Sequence, residues 1–109
     1  MMTNKSLRSA FDVLNKRFFE NRICEDIIVR FGDNEDCEGC DGLHTGAEIV
    51  IHEDFKKHGD VALLVLLHEM EHADLHQDGY IGYKNESHHI RFHAGIDRLY
   101  KAGAYEGLL

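Results

Sequence analysis

The chain has 109 residues, 43% apolar and 29% charged, and a net charge of −8 with histidine neutral. That length holds one modest hydrophobic core, so a single domain over residues 1–109 is expected. No basic patch offsets the acidic balance, which argues against autonomous nucleic-acid binding. The longest apolar run, residues 61–67, is far shorter than the roughly 20 residues that span a bilayer.

The opening Met1-Met2-Thr3-Asn4-Lys5-Ser6 leads directly into a mixed polar pattern without signal-peptide character, so a cytoplasmic protein is expected. Leu7, Ala10, Phe11, Leu14 and Phe18 then recur at helical spacing, which predicts an amphipathic helix over residues 4–20. Asn21, tolerant of turn geometry, ends it. Residues 26–31 are rich in β-branched side chains and read as a strand. Residues 32–46 combine glycines with clustered acids and read as a loop, or as an excursion into a hairpin. A second strand is expected over residues 47–52.

The loop carries Cys37-x-x-Cys40 with His44 close behind, and Cys24 lies upstream. Three cysteines do not suggest a disulfide framework. A closed zinc knuckle needs four ligands, and no further pair follows, so reduced thiols are the simpler reading. The order of zinc deaminase ligands is absent, and no calcium-loop register fits the acids at 33–36.

Asp60 is the expected N-cap of a helix that runs to His76 or Gln77, with Gly79 just beyond. Its first two turns are apolar all round, as in a buried central helix. Residues 80–85 form a connector or short strand. A last helix is expected from Ser87 to Ala102, stopped by Gly103. This order gives a compact α+β domain.

The central helix carries His68-Glu69-Met70-Glu71-His72. Residues four apart lie one above the other, so both imidazoles project from one face. Two such nitrogens can hold one Zn²⁺, and an adjacent glutamate can take a proton from the attacking water. Two buried histidines satisfied by hydrogen bonds would explain one ring, but not two His and two Glu beside an apolar segment. The pentapeptide fits both H-E-x-x-H and the inverted H-x-x-E-H. At about 100° per residue, Glu69 and Glu71 flank the histidine pair symmetrically, so helix geometry leaves the choice open.

A third ligand is required. Asp78 stands where a longer zincin pattern would place it, but Leu75 occupies the position of the turning glycine. His76 is rotated by about 80° from His68. His88 and His89, at the start of the last helix, remain. His93 reads as a packing or supporting residue.

Together these segments resemble a family. Residues 11–23, Phe11-Asp12-Val13-Leu14-Asn15-Lys16-Arg17-Phe18-Phe19-Glu20-Asn21-Arg22-Ile23, are similar to the opening helix of SprT-like (Spartan-type) zinc metallopeptidases. Leu66 to Ala73 is similar to the family's active-site helix. His88-His89-Ile90-Arg91-Phe92 corresponds to its downstream H-G-x-x-F element, with His89 in place of the glycine. The resemblance implies a zincin-like fold, Zn²⁺ held by His68, His72 and His88, and Glu69 as general base. It also implies that Glu71 is a flanking group, hydrogen-bonded or at the surface.

The expected activity is therefore hydrolysis of a protein or peptide substrate. The zinc ribbon and basic tail of many family members are absent from these residues, so DNA-linked proteolysis does not carry over; Tyr80 or Tyr83 are candidate helpers at the scissile carbonyl. The rival expectation is a non-catalytic zinc-stabilised module that binds a basic protein partner. A third is a DNA-associated protease whose DNA contact comes from another subunit.

Overall fold

In the computed structural model, residues 1–77 and 90–106 are described, side chains of residues 90 and 91 excepted. They form an α+β arrangement of three α-helices and one three-stranded sheet. No helix among them is long and apolar enough to cross a membrane.

Helix α1 spans Asn4–Phe18. Thr3 and Ser6 cap it reciprocally: Ser6 N donates to Thr3 Oγ1 at 3.1 Å, and Thr3 N donates to Ser6 Oγ at 2.8 Å. Leu7 and Phe11 are its fully buried anchors. The chain leaves the helix through Glu20 and Asn21, both at positive φ (54° and 59°). Asn15 secures this exit. Its Nδ2 donates to Ile23 O at 2.9 Å, and its Oδ1 accepts from Ile23 N at 3.2 Å. The helix therefore ends slightly earlier than periodicity implies, where two left-handed residues turn it.

Strand β1 (Ile28–Gly32) pairs in parallel with β3 (Glu48–His52), with Val29 opposite Ile49. Between them the supposed loop contains β2 (Gly42–His44), antiparallel to β3 with Leu43 opposite Val50. The order β1-β3-β2 leaves β2 at one margin of the sheet. Gly46, at φ 92°, makes the tight reversal from β2 into β3. A 3₁₀ helix over Glu53–Lys57, unforeseen from the sequence, then delivers the chain to α2.

Helix α2 covers Gly59–Gln77, starting one residue before the expected cap, so Asp60 lies inside the first turn. Leu66, Leu67 and Met70 are fully buried in the same core as Val29, Phe31, Ile49 and Ile51. Val61 stays 41% exposed, so the helix is central without being enclosed on every side. Helix α3 spans Ile90–Lys101, and Gly103, at φ 90°, lies in the turn that follows it. Its expected start at Ser87 lies outside the described residues, as do Gly79 and the connector 80–85.

Candidate metal centre

His68 and His72 occupy one face of α2, one turn apart. Their ring centroids are 5.0 Å apart, with planes crossing at 70°. Phe92 of α3 covers both. It stacks on His72 at 4.3 Å between centroids and meets His68 edge-on at 4.9 Å. An apolar shell of this kind limits the rotation of potential ligand rings and lowers the local dielectric.

The two glutamates part company. Glu69 is buried and turned toward β2: a Cβ built on Gly42 would lie 3.2 Å from Glu69 Cγ and 3.3 Å from its Oε2. Its Oε2 is 4.0 Å from His68 Nε2. Burial alone pushes its carboxyl up to about 7. Glu71 faces the other way, into the α2–α3 junction. A Cβ built on Gly95 would come within 1.7 Å of Glu71 Oε1. The absence of a side chain at that position of α3 is what lets the carboxylate fit.

Glu71 corrects the expectation drawn from the family. It is not a surface group: the residue is 2% exposed, and among the described residues its Oε2 has no hydrogen-bond partner. Arg98 Nη2 stands 3.6 Å away, an ion pair just beyond hydrogen-bond reach. Burial, reinforced by the charge of Asp74, raises its carboxyl to about 7, against the opposing pull of Arg98 and Arg22. The helix burial that hides Glu71 was legible; the notch that accepts it had one sequence signal, a glycine inside a helical pattern.

His76 and the Cys37–His44 segment are separated from this face. His76 packs against His44, with ring centroids 5.4 Å apart, and does not converge with His68. Burial, with a further push from His76, lowers the His44 imidazole to about 4. Cys37 is buried, whereas Cys24 and Cys40 are exposed. Among the described residues no group of three or more His, Cys, Asp or Glu is arranged to hold a metal, so Cys37, Cys40 and His44 do not gather. His93, expected to pack or support, is exposed on α3 yet meets the Phe92 ring edge-on at 6.1 Å between centroids. His88, His89, Asp78, Tyr80 and Tyr83 lie outside the described residues.

The Glu71 environment has a measurable consequence for the metal-free protein. A carboxyl whose pKa rises from 4.5 to about 7 on folding adds stability below pH 4.5 and loses it as pH climbs through 7. The loss is about 3 kcal/mol by linkage. Glu69 acts in the same window, and the half-buried His44, its imidazole held low, acts oppositely as pH falls from 6.5 toward 4. The difference between wild type and Glu71→Gln isolates one group. Chemical denaturation at pH 4.5 and pH 8 should show the variant gaining on wild type as pH rises. Parallel curves would mean that Glu71 is ionised at little cost.

No family model matches the sequence, and no curated protein is similar to it.

Proposed function

We propose that this chain is a zinc-dependent metallopeptidase of the SprT-like kind, with a zincin-like fold, acting on protein or peptide substrates in the cytoplasm. One observation carries the reading. Two imidazoles share a helix face at 5.0 Å between ring centroids, beside a buried carboxylate 4.0 Å from the nearer ring. The donor set fits a divalent ion. Neutral nitrogens suit zinc, and the Glu69 carboxylate, with no lysine or arginine paired to it among the described residues, suits a site that gains positive charge.

His68 and His72 would hold the ion, with His88 as the third ligand. Zinc so held would polarise the scissile carbonyl and acidify the attacking water. Glu69 takes that water's proton and passes one to the leaving amine. Glu71 is occupied in the helix–helix junction, on the side away from β2, and that favours Glu69 as base. Phe92 keeps the two rings in place and excludes water from one side. The acidic charge gives no support for a DNA contact.

Metal analysis after dialysis against zinc, run beside casein digestion, tests this reading. Wild type should hold one zinc per chain and cut casein, and a chelator should stop it. His72→Ala should lose the zinc. Zinc retained in His72→Ala would overturn the ligand assignment. Zinc-loaded wild type without any cleavage would leave the non-catalytic module standing.

A further inference from the structure

Beside His68, between α2 and α3, lies a cleft of about 540 Å³. Its walls are Leu64 and His68 from α2, Phe92, His93, Ile96 and Tyr100 from α3, and Tyr105 beyond it. We propose that this cleft seats one bulky apolar side chain of the peptide, of leucine, methionine or phenylalanine type, next to the bond that Glu69 acts on. The proposal rests on the peptidase reading and adds to it the class of residue that is recognised.

Three features select that occupant. First, most of the wall is hydrocarbon or aromatic ring, so the gain on filling it comes from removing apolar surface from water. The volume falls within the roughly 300–1,000 Å³ of sites that bind small organic groups. Second, His68 is both a wall of the cleft and one of the proposed ligands, so a side chain seated there belongs to a residue flanking the scissile bond. Third, Asp97 also lines the cleft, and among the described residues no lysine or arginine does. Its carboxylate is already engaged by Lys101 Nζ at 2.9 Å, so that ammonium is not available to an incoming acid. Glutamate and aspartate side chains are therefore disfavoured, and glycine gains nothing.

Binding is read directly by titrating the full chain with the N-acetyl amides of phenylalanine, leucine, alanine, glycine and glutamate. Backbone amide NMR shifts are the signal. The phenylalanine and leucine amides should perturb Leu64, Ile96 and Tyr100 saturably, at least about 10-fold more tightly than the alanine and glycine amides; the glutamate amide should not bind. Tyr100→Ala should weaken the phenylalanine amide several-fold. Tyr100 is 64% exposed, so its replacement leaves the core untouched. Ile96→Asp should abolish binding. Absence of saturable shifts at these residues in wild type overturns the proposal without reference to any variant.

Mapping of casein cleavage sites by mass spectrometry separates the two levels. Cuts flanked by Leu, Met or Phe, relaxed in Tyr100→Ala, support both. Cuts with no such preference remove the cleft assignment and leave the peptidase intact. Amide binding at the cleft without casein cleavage supports the cleft and removes the peptidase.

Discussion

Glu69→Gln should lower casein hydrolysis by about 10²- to 10⁴-fold, the usual contribution of a positioned general base. Zinc content should hold, and the melting temperature should not fall. The glutamine keeps the volume that Gly42 accommodates, where a Cβ would lie 3.3 Å from Oε2, so β2 has no reason to move. It cannot accept a proton. Because the buried carboxyl rises to about 7, its replacement by a neutral amide also removes a group that is costly to ionise. A slight gain in stability with loss of turnover is therefore the expected pair of results. Glu71→Gln is the control, and should keep most of its activity. If Glu69→Gln binds zinc and cuts as fast as wild type, the base is elsewhere. If Glu71→Gln is the inactive one, the inverted reading of the pentapeptide is the correct one.

Gly95→Ala should destabilise the protein by about 1–3 kcal/mol, the cost of forcing extra volume into a packed junction. In an exposed helix interior the same change would stabilise by roughly 1 kcal/mol, so the sign itself is diagnostic. The cause is specific. The added methyl would stand 1.7 Å from Glu71 Oε1 and 2.2 Å from its Cδ, and Glu71 is 2% exposed, without open space to retreat into. Adding Glu71→Ala removes the clash, so the double variant should recover much of the loss. Urea denaturation of wild type, both single variants and the double variant gives the coupling, expected to exceed about 1 kcal/mol for residues in contact. Additive effects would mean that α3 shifts away at no cost. The junction would then be looser than its geometry indicates.

How much of this was legible in the sequence varies by element. The apolar stripe Leu7, Phe11, Leu14 marks α1, and the run before His68 marks α2, because helical periodicity and burial coincide there. Strand β2 was legible only as the hairpin excursion offered beside a plain loop, without its bounds. Gly42-Leu43-His44 is three residues long, and its place comes from pairing with β3 rather than from any alternation of its own. The 3₁₀ helix over Glu53–Lys57 is likewise set by the need to carry the chain from β3 into α2. The histidine pair could be read directly, since four-residue spacing fixes it. The glutamates could not be told apart, because they sit symmetrically on the wheel; only β2 on one side and α3 on the other distinguish them. Phe92 over both rings is a contact between distant segments, invisible to local pattern.

Gly95 is matched to one acid, Glu71, whereas a side chain at Gly42 would meet Val65 before it met Glu69. The first pairing constrains how such a sequence can drift over time. A descendant that keeps Glu71 must also keep the notch at position 95, whereas one that trades the acid for a small residue is released there. Positions 95 and 71 should therefore change together or not at all, while position 42 stays closed to larger residues whatever becomes of the acid at 69.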